Sequence, residues 1–217
     1  MKRYVFALLW MLMVSTASAG VIFSEDFEGG VDQDVISVGL IAGTQFEVVA
    51  GNVDHIKDDA DPANPYAMMC GAGGSCLDTT GSGARGEIRT IAEINFLPGL
   101  YYLSFNLQRW RDFNNNTASA NIQVILPGLV DQVYFRSRTY GPYDIERIEF
   151  AVDTPQSAKL TFRDLGGSAG YAGAILDDVE IGTTTPEPSS LLLVLPALGA
   201  LVALRRRSAR KASARTA

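Results

Sequence analysis

Apolar and polar residues alternate over short stretches through the middle of the chain, the period-two pattern of half-buried strands. Ile88, Thr90, Ala92, Ile94 and Phe96 interleave with Glu87, Arg89, Glu93 and Asn95. Leu97-Pro98-Gly99 then turns the chain into Tyr101, Leu103, Phe105 and Leu107, which predicts a hairpin. Further strands are predicted around Ile122, Val124 and Leu126; Val133 and Phe135; Ile148, Phe150 and Val152; Leu160 and Phe162; and Ile175, Val179 and Ile181. No stretch between them keeps a helical period, and no internal repeat is evident. Many short strands parted by turn residues predict an all-β fold, a β-sandwich of jelly-roll type.

Both ends break this pattern. Lys2 and Arg3 precede an apolar run that gives way to Ala17-Ser18-Ala19. A charged start, a short apolar stretch and small residues predict a signal peptide over 1–19, cleaved before Gly20, with an uncleaved anchor as the alternative. Residues 191–204 are apolar, contain Pro196 and Gly199, and end at Arg205-Arg206-Arg207. As a helix this segment is about 21 Å long against a hydrocarbon core of about 30 Å. It spans with help from Ser189 and Ser190, from snorkelling arginine stems and from local thinning of the bilayer. Basic residues flank only its C-terminal side, which predicts a cytoplasmic tail over 205–217 and a body on the other face of the membrane. Between body and membrane, 183–190 is a Thr/Ser-rich linker containing Pro186-Glu187-Pro188. Its prolines lack amide protons and fix their φ angles, favouring an extended segment that an enzyme can bind as a strand. Residues 20–182 remain as one sandwich domain.

The order Pro186-Glu187-Pro188, two serines, a leucine-rich run and an arginine cluster resembles the PEP-CTERM sorting signal of Gram-negative bacteria. The resemblance covers 185–207; the tail 208–217 is longer than the family's pattern. It implies processing by an exosortase after signal peptidase, a stay at the inner membrane during sorting, and then the cell surface or extracellular matrix. "SCLDTTGSGARGEIRT" and "LPGLYYLSF" are also similar to segments in exported proteins of that kind, which have no assigned enzymatic role.

Removing the ends changes the charge balance. The whole chain carries −6, but the body holds ten basic against 23 acidic residues, a net charge of −13. Nucleic acid and anionic lipid are excluded as partners of such a body, because phosphate contacts need clustered Lys and Arg. Cys70 and Cys76 are the only cysteines and bracket a flexible "GAGGS" loop, so export predicts a disulfide between them. With His55 the sole histidine, a zinc site has no ligand set. Asp58, Asp59 and Asp61 lack the glycine and terminal glutamate of an EF-hand loop and are expected to be solvated.

Two acidic segments stand at opposite ends of the body. In "AILDDVEI", if Ile175, Val179 and Ile181 face the core, period two puts Asp177 on that same face. A buried carboxylate must be paired, hydrogen-bonded, protonated or metal-bound. In "FSEDFEGG", Phe23 and Phe27 flank Glu25 while Asp26 and Glu28 point the other way. The two segments meet if the first and last strands pair. An opening "DFE" and a closing "DDV" resemble the jelly-roll carbohydrate-binding modules, in which such segments commonly share a structural calcium ion. The resemblance implies Glu28 with Asp177 or Asp178 as ligands; the alternatives are an arginine partner such as Arg163, or carboxylates facing solvent.

"QRWRDFNNN" gathers aromatic and planar polar groups at the end of a strand. Trp110 and Phe113 suit stacking on a sugar ring, with Arg109, Arg111 and Asp112 bonding its hydroxyls, and Tyr134, Tyr140, Tyr143 and Tyr171 extend such a surface. The plainer alternative packs Trp110 at a sandwich rim. No nucleophile elbow, metal-histidine signature or phosphate loop appears. The expectation is a non-enzymatic envelope or matrix protein that binds exopolysaccharide; the alternatives are a small sugar-active hydrolase and a purely structural or adhesive surface protein.

Overall fold

The structure is a computed structural model. It describes residues 20–58, 69–70, 74–81, 83–109, 119–136, 144–167 and 173–184, without the side chains of Asp58 and Arg109. Expectations for the signal peptide, for Pro186, Glu187 and Pro188, and for 191–217 lie outside the described residues, among which no helix is long and apolar enough to cross a membrane.

In chain order the strands are β1 (Val21–Glu25), β2 (Gln33–Ile36), β3 (Gly39–Leu40), β4 (Phe46–Ala50), β5 (Val53–Asp58), β6 (Gly74–Asp78), β7 (Thr80–Gly81), β8 (Ala84–Arg85) and β9 (Glu87–Thr90). They continue as β10 (Ile94–Phe96), β11 (Gly99–Arg109), β12 (Ala120–Leu126), β13 (Val130–Arg136), β14 (Asp144–Val152), β15 (Gln156–Ala158), β16 (Thr161–Asp164) and β17 (Ala174–Thr183). One sheet runs β14-β11-β17-β6-β5-β2, with β1 also on β17; the other runs β13-β12-β16-β9-β4-β3. Two short ribbons, β10 with β15 and β7 with β8, complete the pairing. The two sheets share one apolar core, so the architecture is an all-β sandwich.

Alternation places the core as expected on β12, β14 and β16, where Ile122, Val124, Leu126, Ile148, Phe150, Val152 and Phe162 are buried. A chain of rings runs through the core: Phe27 stacks on Phe46 at 5.8 Å, Phe46 tilts against Phe162 of the same sheet at 6.1 Å, and Phe162 meets Phe105 of the other sheet edge-to-face at 5.3 Å between centroids. Truncating such a ring to alanine costs about 3–5 kcal/mol.

Three expectations are corrected. Residues 88–96 and 101–107 do not form a hairpin: β9 belongs to one sheet, β11 to the other, and β10 pairs with β15 instead. The chain turns a corner between layers at Leu97–Gly99. Tyr101 holds that corner, its hydroxyl donating to the Leu97 carbonyl (2.9 Å) and accepting from the Leu97 amide (3.1 Å) while its ring stacks on Phe150. On β13, Val133 and Phe135 face outward, each 57% exposed, because Tyr134 takes the inward position against Phe105. Asp177 does not face the main core. Ala174 and Leu176 do, and so do Val179 and Ile181, but the phase slips between the pairs at Asp178. Ile175 and Asp177 therefore lie on the opposite face, where Ile175 packs with Ile56, Met69, Cys70 and Cys76.

The expected disulfide is present: Cys70 and Cys76 are bonded, with Cα atoms 5.3 Å apart. His55 is buried and structural, donating from Nε2 to the Phe27 carbonyl at 2.8 Å.

Candidate functional site

The first and last strands pair antiparallel, Glu25 opposite Val179 and Phe23 opposite Ile181, which brings the two acidic segments together. One edge of β17 is shared by two neighbours: β6 lies beside Ile175 and Leu176, and β1 takes over from Val179. The Asp177-Asp178 pair sits at the change of partner, with Asp178 in the left-handed region at φ 47°. Aspartate tolerates that conformation better than most side chains, whereas Phe27, also left-handed at φ 56°, is held against about 1–3 kcal/mol of strain. Glu25 holds it, accepting from the Phe27 amide at 2.9 Å and the Gln45 amide at 2.5 Å.

Glu28 fills the gap that β6 leaves beside β17. Its Oε1 accepts from the Ser75 amide at 2.6 Å, and a Cβ on Gly74 would meet that oxygen, so a side chain there would push the carboxylate aside. Around it, Asp26 accepts from the Glu28 amide (3.1 Å), Asp177 from the Asp178 amide (2.8 Å) and Asp178 from Asn106 Nδ2 (2.6 Å). The structure thus gathers Asp26, Glu28, Asp177 and Asp178. Arg163 is not their partner: it sits in the other sheet on Glu87 at 2.6 Å.

Unneutralised carboxylates so close repel one another. Burial, then the charges of Asp178, Glu28 and Asp26, push the Asp177 carboxyl up to about 7, and burial followed by Asp26 and Glu28 raises Asp178. These groups are oxygen donors of the kind calcium takes. Each, however, commits one oxygen to an N–H donor, and among the described residues no three such side chains converge to hold a metal ion.

Beside this cluster a groove of about 650 Å³ opens on the outer face of the β1, β17, β11 and β14 region, lined by Ser24, Asp26, Gln45, Ser104, Asn106 and Glu180 among others. Glu180 accepts from the Tyr102 hydroxyl, and the Arg147 guanidinium covers the Tyr102 ring at 3.9 Å. Tyr102 and Glu180 escape a search for motifs because they are 78 residues apart and meet only through the β11 and β17 pairing.

Most of the expected sugar platform lies outside the described residues. Arg109 ends β11, whereas Trp110, Arg111, Asp112, Phe113, Tyr140, Tyr143 and Tyr171 lie outside the described residues. Tyr134 is no part of an exposed aromatic surface, since it packs edge-on against Phe105 at 5.4 Å. The strand ends that flank these segments do converge. Arg109 is opposite Ala174, Leu107 opposite Asp144, Ala120 opposite Arg136 and Ile122 opposite Asp164. Arg136 joins the sheets there, donating to the Leu107 carbonyl at 3.3 Å and pairing with Asp144 and Glu146.

A second buried acid network at this end was not legible as a site. Asp164 Oδ2 accepts from the Thr79 and Thr80 hydroxyls at 2.7 and 2.9 Å, while Asp78 accepts from the Thr80 and Gly173 amides at 2.9 and 3.0 Å. Burial, against those amide bonds, keeps the Asp78 carboxyl well above its ordinary value. The polar run Asp78-Thr79-Thr80 inside a buried strand segment is the only signal the sequence offers for it.

No family model matches the chain. No curated protein matches it. Among solved structures it is similar to the CBM22-1 xylan-binding domain of Paenibacillus barcinonensis Xyn10C, at 14% identity over 78% of this chain and 97% of that one, with a TM-score of 0.43. It is similar to the C-terminal CBM6 of LamC, a laminarinase from Zobellia galactanivorans, at 11% identity over 77% and 100% of the two chains, TM-score 0.41. It is also similar to the K3 adhesin domain of Lys-gingipain from Porphyromonas gingivalis, at 17% identity over 77% and 100%, TM-score 0.42.

Proposed function

We propose that this chain is a non-enzymatic exported protein of the envelope or extracellular matrix, whose sandwich is a jelly roll that binds exopolysaccharide. The observation that carries the binding role is the meeting of strand ends around Arg109, Arg136, Asp144, Asp164 and Ala174. The segments those ends bracket supply Trp110, Phe113, Tyr140, Tyr143 and Tyr171, together with Arg111 and Asp112. Flat apolar faces beside planar polar groups are what a pyranose ring and its hydroxyls require. A body charge of −13 favours a neutral or cation-bridged glycan over an anionic one.

Delivery follows from the two ends. Signal peptidase removes 1–19, the arginine-flanked 191–204 holds the chain at the inner membrane, and an exosortase acts at Pro186-Glu187-Pro188 before release to the surface or matrix. A calcium ion held by Glu28, Asp177 and Asp178 is part of the same proposal. Its support is the donor chemistry and the mutual repulsion that a cation would relieve; it requires the carboxylates to turn their free oxygens to one point.

The test is retention on a panel of immobilised polysaccharides. Wild type is expected to be retained by at least one, Trp110→Ala to be lost from it, and no reducing sugar to be released. Reducing-sugar release abolished by a carboxylate substitution would favour the hydrolase instead. For delivery, fractionation of the native host is expected to find the chain outside the cytoplasm and shorter than 217 residues; a full-length cytoplasmic chain would contradict it. A chelator that leaves the melting temperature unchanged removes the calcium ion.

A further inference from the structure

The end of the sandwich opposite the proposed glycan end is apolar. The chain enters and leaves there side by side: the Thr183 amide donates to the Gly20 carbonyl, and the Thr184 amide donates to the Leu100 carbonyl, both at 2.9 Å. Flanking this exit are Val21, Ile22, Ile91, Leu97, Pro98 and Leu100, of which Leu97 is 68% exposed and Val21 55%. Ile22 and Ile91 both line a cleft of about 450 Å³, together with Phe23 and Ile94 and with the polar Gln45, Glu93 and Asn95. Across 91–100 and 151–155 the only charges are Glu93 and Asp153. In a body carrying −13, two charges over these fifteen residues leave this stretch mostly apolar or uncharged.

The occupant follows from what leaves at Thr184. Six residues, 185–190, separate it from the apolar run that begins at Leu191. At no more than about 3.6 Å each they reach about 20 Å, so an anchored chain keeps its exit end close to the headgroups. Apolar side chains held there gain by entering the interface, and prolines and leucines at a rigid corner do so without losing backbone freedom. We infer that the exit end of the sandwich seats on the bilayer surface while the chain is anchored, dipping Leu97, Pro98 and Leu100 into the headgroup layer. The β11 strand then stands away from the membrane and holds the opposite end about 34 Å out, toward the glycan. This inference rests on the membrane-tether part of the proposed function.

The test uses the full chain reconstituted in phosphatidylcholine vesicles, with a single environment-sensitive dye on Leu97→Cys or, at the far end, on Phe135→Cys; both positions are exposed enough to accept it. Quenching by a lipid carrying a nitroxide near its headgroup is expected to be at least twofold stronger at position 97 than at 135. Leu97→Glu combined with Leu100→Glu, with the dye moved to Val21→Cys, is expected to bring quenching down to that at 135. Equal quenching at 97 and 135 in chains that float with the vesicles overturns the seating alone. Chains that do not float with vesicles overturn the tether itself.

Discussion

Replacing Asp177 by asparagine measures how far the acidic cluster strains the fold. Burial and then the charges of Asp178, Glu28 and Asp26 move the Asp177 carboxyl from 3.8 to about 7. Between those values the folded chain keeps a proton that the unfolded chain has released, so stability falls as pH rises through this window. At about 1.36 kcal/mol per pH unit the displacement sets a ceiling of about 4 kcal/mol. Part of the carboxyl's surroundings is water, and screening there leaves about 1–2 kcal/mol. The introduced amide keeps an oxygen for the Asp178 amide and carries no charge. In residues 20–184 with chelator present, Asp177→Asn is expected to gain that amount over wild type at about pH 8 in urea unfolding. Near pH 4 the two are expected to match. Calcium is expected to close the gap at pH 8 by stabilising wild type more than the variant. A variant no more stable than wild type at pH 8, or two parallel pH profiles, would refute the electrostatic origin of the shift.

Tyr101→Phe removes the hydroxyl that ties both polar groups of Leu97, and a loss of about 1–2 kcal/mol in urea unfolding is expected with the core intact; no loss would mean the corner is held by packing alone. Cys70→Ser with Cys76→Ser opens a loop of few residues, so a loss of only about 2 kcal/mol is expected. A collapse of the fold on reduction would contradict a role confined to pinning one turn. Asp164→Asn weakens the hub that collects the Thr79 and Thr80 hydroxyls, and a cost of about 1–3 kcal/mol is expected, read by thermal unfolding.

Residues whose partners lie in the same face pattern were legible in sequence. Ile122-x-Val124-x-Leu126 and Ile148-x-Phe150-x-Val152 fix their own burial because a large apolar side chain falls on every second position, with Gln123 and Glu149 between them marking the outward face. The meeting of "FSED" with "LDDV" was legible too, since first and last strands had acidic segments to juxtapose. What local pattern does not encode is which layer a strand joins. Alternation through 88–96 and 101–107 is equally compatible with a hairpin and with a change of sheet, and the tie that decides it, Tyr101 on Leu97, looks like any core tyrosine. On β13 the run Val133-Tyr134-Phe135 is apolar throughout, so only the inward ring of Tyr134 against Phe105 sets the phase. Period two likewise misplaces Asp177, because a single left-handed residue, Asp178, reverses the faces on either side of it.

Binding to glycan through the end that carries Trp110 is the central claim, and affinity electrophoresis of the mature protein in gels containing the host's own exopolysaccharide tests it most directly. Wild type is expected to be retarded in proportion to polysaccharide concentration. Trp110→Ala is expected to need at least tenfold more polysaccharide for the same retardation, about 1.4 kcal/mol of binding free energy. Wild type that migrates unchanged in every gel, or a variant retarded as strongly as wild type, would contradict it.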